Sequence, residues 1–224
     1  MCELIHCNLH NKRLNTLMAY LLAVTGSGKQ RDGVGFICDN NSYWKSKLSA
    51  DSINNLGTII RTNIKDDSPI SAHIRNATFG IPIEDKNAHP FMGDNFLLMH
   101  NGTLLRKEDD EAKKEKDSDS EDFLNQLELE HKISKNKTDF VTIFNNAMEH
   151  FTGKFALIIR DRRNTLTYIV RGKTAELYIS NIETTNKEKN RTKEVGYIID
   201  TSKITMDNAF FAFRNVSTTL SNLP

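Results

Sequence analysis

The chain opens Met1-Cys2-Glu3-Leu4-Ile5-His6-Cys7-Asn8-Leu9-His10. This stretch reads as a strand, with Cys2, Leu4 and His6 on one face and Glu3, Ile5 and Cys7 on the other. A cysteine behind the initiator methionine is small enough for an aminopeptidase to remove Met1. One residue would then carry a thiol and a free α-amine, the amine with a pKa of roughly 7.7–8.0. A nucleophile and a proton acceptor in one residue can open an amide, provided the rest of the chain builds a pocket around them.

Outward from this strand, Leu14, Leu17, Met18, Leu21 and Leu22 recur at helical spacing, which predicts a helix over about 12–24, broken by Gly26-Ser27-Gly28. Strands are expected at 33–38, at 69–75 and at 95–100, the last running into the turn dipeptide Asn101-Gly102. The stretch 106–119 is almost wholly charged or small and polar and reads as a solvated loop. Ser118-Asp119-Ser120-Glu121 has capping-box spacing ahead of Phe123, Leu124 and Leu127, so a helix begins there. Phe140, Phe144, Ala147, Met148 and Phe151 mark another, with Gly153 just past its end. Strand-like runs follow at 155–160, 166–170 and 196–199, with a polar insert at 186–193 between the last two. Strands and helices fall in blocks without regular alternation. That favours an α+β fold with mainly antiparallel sheets. Without an internal repeat or a sharp compositional break, residues 1–224 read as one domain.

Composition narrows the function classes. Of 224 residues, 38% are hydrophobic and 26% charged, and the formal net charge is +1. A near-neutral chain argues against nucleic-acid binding by bulk electrostatics. Apolar runs are too short for a membrane span, and the N-terminus lacks the pattern of a signal peptide. Three cysteines (Cys2, Cys7, Cys38) cannot pair completely, so a reducing, cytoplasmic setting is expected.

Four short segments could carry chemistry. The first is Cys2. The second is His73-Ile74-Arg75-Asn76-Ala77-Thr78-Phe79-Gly80, where an arginine at a strand end can offer its planar fork to a carboxylate. The third joins Asn87-Ala88-His89-Pro90-Phe91 to His100-Asn101-Gly102. A side-chain amide and the N–H of a following glycine can aim at one oxyanion, although Asn101-Gly102 taken alone reads as a hairpin turn. The fourth is Asp119-Ser120-Glu121, a carboxylate at a helix start that can hold an ammonium group or serve only as a cap.

The order and spacing of these segments resemble those of class II glutamine amidotransferases, as in the glutaminase domain of glucosamine-6-phosphate synthase. Asp32-Gly33-Val34-Gly35, Gly153-Lys154-Phe155-Ala156-Leu157 and Arg171-Gly172 extend the resemblance, which covers about residues 2–180. It implies an αββα sandwich of two mainly antiparallel sheets, the N-terminal-nucleophile hydrolase fold. It implies hydrolysis of glutamine to glutamate and ammonia through a γ-glutamyl thioester, without metal or cofactor. Cys2 would be the nucleophile and its α-amine the base. Asn101 and Gly102 would form the oxyanion hole. Arg75 would grip the glutamine α-carboxylate with help from Thr78, and Asp119 would bind the α-ammonium group. His100 would line the pocket, acting with His89 mainly to orient its loops. The resemblance stops short of a fused synthase domain, so ammonia would pass to a separate partner enzyme or be released.

Some positions depart from the family pattern. Asn76 stands where an aromatic residue often follows the arginine, and 25–31 is rich in glycine and lysine. Three other readings compete. Cys2, His6, Cys7 and His10 have metal-ligand character, but a strand would turn Cys7 away from Cys2 and His6. An acylase of the same fold would not need Arg75 and Asp119 together. A non-catalytic binding module would keep the fold and hold a partner.

Overall fold

The computed structural model describes residues 2–9, 32–38, 43–47, 58, 62, 69–76, 84–107, 118–134, 139–186 and 191–203. The predicted helix over 12–24, the glycine break after it, most of the charged loop and Thr78 lie outside the described residues.

The opening strand is β1, Glu3–Leu9. Both of its faces are buried, including the carboxylate-bearing Glu3 and the imidazole of His6. The reason is its place in the fold. With β2 (Gly33–Ile37), β3 (Tyr43–Lys47), β4 (Ile70–Arg75), β9 (Tyr178–Asn186) and β10 (Arg191–Asp200) it forms a six-stranded sheet in the order β3-β2-β4-β1-β10-β9. β1 therefore sits between β4 and β10, antiparallel to both, and holds Cys2 at the end of a central strand. A second antiparallel sheet contains β5 (Phe91–Met92), β6 (Phe96–Arg106), β7 (Phe151–Asp161) and β8 (Thr167–Arg171) in sequence order.

Two helices cover the second sheet. α1 (Asp119–Ile133) starts where the capping-box spacing predicts, with Ser118 Oγ accepting from Glu121 N at 3.2 Å. α2 (Phe140–Glu149) is capped by Asp139, which accepts from Thr142 N at 3.1 Å. Strand period two sorts the packing. Leu97 and Met99 of β6 and Ala156 and Ile158 of β7 meet Leu4 between the sheets. Phe96, Leu98 and Leu157 point the other way, onto Phe123 and Leu127 of α1 and Phe140 of α2. The architecture is the expected α+β sandwich of two antiparallel sheets. Among the described residues no helix is long and apolar enough to cross a membrane.

Two local expectations fail for one reason. Asn101-Gly102 is no turn: β6 runs straight through it, paired with β7 from Phe96↔Asp161 to Arg106↔Phe151. Gly153 does not end α2, which closes on His150; it lies inside β7 opposite Leu104. Long-range pairing overrides the local turn and cap signals. At Gly102 φ is +137°, and a Cβ would fall 2.0 Å from Lys154 O. Glycine is required there by both dihedral and space. Replacing Gly102 with alanine is expected to destabilise the protein by at least about 2 kcal/mol, read as a lower urea midpoint; an unchanged midpoint would contradict this geometry.

β3 and β9 were not expected as strands. They are the edges of the six-stranded sheet, and an edge strand can stay polar on both faces. The predicted polar insert at 186–193 is met by strand at both ends, since β9 ends at Asn186 and β10 begins at Arg191; 187–190 lie outside the described residues.

Candidate active site

Cys2 leads into β1 and is half-buried. Its sulfur is cradled by the backbone after β4: Asn76 N donates to Sγ at 3.3 Å, and Sγ lies 3.5 Å from Asn76 O. Cys2, Cys7 and Cys38 are not joined in disulfides. Two cavities meet at Cys2. A smaller one, about 70 Å³, has Arg75, His89, His100, Gly102 and Asp119 in its walls. A larger one, about 400 Å³, has Asn101, Gly102, Lys154, Glu176 and Thr201 in its walls. Cys2 and Gly102 border both.

The His100-Asn101-Gly102 segment serves two layers because consecutive strand residues face opposite ways. Asn101 projects between the sheets, where its Nδ2 donates to Thr201 Oγ1 at 3.0 Å. That uses one of the two amide N–H groups and leaves the other for a ligand. Thr201 Oγ1 also accepts from Leu4 N at 3.0 Å, and Thr201 N donates to Leu4 O at 3.1 Å. One threonine thus ties the strand carrying the thiol to the amide facing it.

His100 projects the opposite way, onto the start of α1. Ser120 Oγ is 3.0 Å from His100 Nδ1, 3.1 Å from His89 Nε2 and 3.3 Å from Asp119 Oδ1. A carboxylate only accepts, so the single hydroxyl proton goes to Asp119, and both imidazoles donate to the serine oxygen. His89 Nδ1 and His100 Nε2 then carry lone pairs, and among the described residues both are buried without a hydrogen-bond partner, consistent with neutral rings. Burial pushes the His89 pKa well below the usual imidazole range, with His73 and His100 adding to it; burial also lowers that of His100, against the pull of Asp119. His73 completes the layer, its ring 4.0 Å from that of His89 and its Nε2 3.0 Å from His100 O.

Asp119 is anchored at both oxygens. Oδ2 accepts from Leu104 N at 2.9 Å and Oδ1 from Ser120. The helix is capped by Ser118, so the Asp119 carboxylate is directed to the strand and the small cavity. The Arg75 side chain is 7% exposed and pairs with Asp32 through Nη1 at 2.9 Å; Arg75 borders the same cavity.

Arg75, His100, Asn101, Gly102 and Asp119 are therefore brought together around the Cys2 thiol. Thr78 lies outside the described residues. Thr201 and Ser120 were missed as site residues. Ser120 lies inside the Asp-Ser-Glu motif, where the charged Asp119 is the stronger chemical signal. Thr201 carries no local signal. Among the described residues no cluster of three or more potential metal ligands occurs, and β1 turns Cys7 away from Cys2 and His6.

The neutral histidines predict an acid-sensitive fold. His6, 2.9 Å from Ser71 Oγ, has its pKa pushed down to about 4 by burial and by Arg160. With His89 and His100 it forms a set whose folded pKa values lie below the unfolded value of roughly 6.5. The unfolded chain then takes up protons first, so stability is full above that value and is lost as pH falls toward 4. Asp200 opposes this. Burial, with Glu3, pushes its carboxyl up to about 8, so its contribution declines as pH rises from about 4 to 8. Three groups outweigh one, and the urea midpoint is expected to fall between pH 6.5 and 4.5. A flat or rising midpoint would overturn the assignment of neutral imidazoles.

Comparison with known proteins bears on the family and the fold. The model of the class-II glutamine amidotransferases matches residues 1–210. Glutamine phosphoribosylpyrophosphate amidotransferase from B. subtilis is similar at TM-score 0.58 and 14% identity, over 93% of this chain and 43% of that one. A structure described as the allosteric regulatory enzyme of purine biosynthesis is similar at TM-score 0.57 and 14% identity, with the same coverage. A predicted glutamine amidotransferase from Pseudomonas aeruginosa PA01 aligns at TM-score 0.43 and 15% identity, over 89% of this chain and 85% of that one. The chain thus spans less than half the length of the first two. No curated protein sequence matches it. The two solved structures above TM-score 0.5 share its fold, and by the family model the chain belongs to the class-II glutamine amidotransferases.

Proposed function

We propose that the protein hydrolyses glutamine to glutamate and ammonia with Cys2 as nucleophile. The observation that carries the reading is the convergence on Cys2 of an amide N–H pair (Asn101, Gly102) and a charged pair (Arg75, Asp119). A free amino acid has two charges, and residues of opposite charge in the wall of one small cavity fit them.

The steps follow from the residues. The Cys2 α-amine, freed by removal of Met1, takes the thiol proton, and the sulfur attacks the side-chain amide carbon. The resulting oxyanion is met by the second N–H of Asn101 and by Gly102 N–H. The ammonium returns the proton to the departing nitrogen. Water then resolves the γ-glutamyl thioester and restores the thiol. Ammonia passes to a separate partner enzyme. Cysteines held outside disulfides fit a reducing, cytoplasmic setting.

The test follows glutamate release from glutamine. Asp119→Asn keeps an acceptor for Leu104 N but removes the charge. It is expected to raise KM by about 10- to 100-fold. An unchanged KM would remove Asp119 from substrate binding.

A further inference from the structure

We propose that the larger cavity is an amine subsite, and that the protein also cleaves γ-glutamyl amides whose nitrogen carries an α-amino-acid residue. This rests on the assignment of Cys2 as the nucleophile. The glutamyl part is held on one side, by Arg75 and Asp119 in the small cavity. The carbonyl oxygen is directed to Asn101 and Gly102. The remaining substituent of the amide carbon, its nitrogen, then faces the other side of Cys2, where the larger cavity opens.

Size and chemistry both exceed what ammonia needs. A water-sized molecule occupies roughly 30 Å³, whereas this cavity is about 400 Å³, in the range of roughly 300–1,000 Å³ found for small-molecule sites. Its apolar floor is small, formed by Ala156 and Ala175. Lys154 follows Gly153 on β7 and shares the strand face of Ala156. Glu176 follows the buried Ala175, and Thr103 extends the face of Asn101. Among the described residues neither the Lys154 ammonium nor the Glu176 carboxylate has a hydrogen-bond or ion-pair partner, although both line one cavity. An amide substituent bearing a carboxylate satisfies Lys154. Its nitrogen, protonated as it leaves, is met by Glu176.

The chemistry balances without another reactant. The Cys2 sulfur–carbon bond forms as the amide carbon–nitrogen bond breaks, and the thiol proton, carried by the α-amine, goes to the leaving nitrogen. The free amino acid departs. Water then adds hydroxyl to the acyl carbon and a proton to sulfur, releasing glutamate.

The experiment gives the chain beginning at Cys2 three substrates in parallel: glutamine, γ-glutamylalanine and γ-glutamylmethylamide. Glutamate and the released amine are quantified for each. γ-Glutamylalanine is expected to be cleaved with kcat/KM at least equal to that for glutamine. The methylamide, which lacks the carboxylate, is expected to be at least tenfold poorer than γ-glutamylalanine. Lys154→Glu is expected to lower the γ-glutamylalanine-to-glutamine selectivity at least about tenfold, and Lys154→Ala by less. Cleavage of glutamine without cleavage of γ-glutamylalanine overturns the amine subsite and leaves the Cys2 assignment standing. Unchanged selectivity in the Lys154 variants also overturns it. Cleavage of neither substrate overturns both.

Discussion

Replacing Cys2 with alanine is expected to lower glutamine hydrolysis by at least about 10³-fold, since the covalent route disappears with the sulfur. That is about 4 kcal/mol of transition-state stabilisation. The loss should fall on kcat, because the groups facing the amino acid's charges, Arg75 and Asp119, are held by Asp32, Leu104 N and Ser120 rather than by the thiol. The fold should survive. Cys2 precedes β1 and is only half-buried, and its sulfur contacts the Asn76 backbone at the open end of the strand. Steady-state kinetics alongside thermal unfolding separate the two effects. Residual activity within tenfold of wild type, in a folded variant, would remove Cys2 from the chemistry.

The second large effect is expected at Asn101. Its amide donates one N–H to Thr201 Oγ1, and the other is free to meet negative charge developing on the substrate oxygen. A donor aimed at an oxyanion acts mainly in the transition state, so Asn101→Ala should lower kcat by about 10²–10³-fold with little change in KM. The structural loss is smaller. Thr201 keeps its bonds to Leu4 N and Leu4 O, so the strand carrying Cys2 stays in register. A variant whose KM rises while kcat holds would place Asn101 in ground-state binding instead.

How much of this was legible in the sequence depended on whether the deciding contacts are local. β1, β2 and β4 were readable because apolar residues dominate strands buried in the middle of a sheet. The start of α1 was readable from Ser118 and Glu121, a bond spanning three residues. The edge strands β3 and β9 were not, since a strand paired on one side can remain polar. Asn101-Gly102 misled as a turn because its conformation is set by β7, more than fifty residues away, whose carbonyl at Lys154 leaves no room for a Cβ. The site shows the same division. Cys2, Arg75, Asn101, Gly102 and Asp119 were legible as an ordered set, and the fold gathers them. Ser120 and Thr201 were not: a lone hydroxyl has no pattern, and Thr201 meets its amide partner across a separation of 100 residues.

In the proposed reaction the γ-glutamyl group is carried on the thiol of an N-terminal cysteine. Acid-quenched protein, taken during turnover of glutamine and analysed by intact mass and peptide mapping, tests it most directly. A γ-glutamyl adduct is expected on the N-terminal peptide, at Cys2, in chains that begin at Cys2, and none in chains that retain Met1. Turnover without that adduct, or an adduct on another residue, would contradict it.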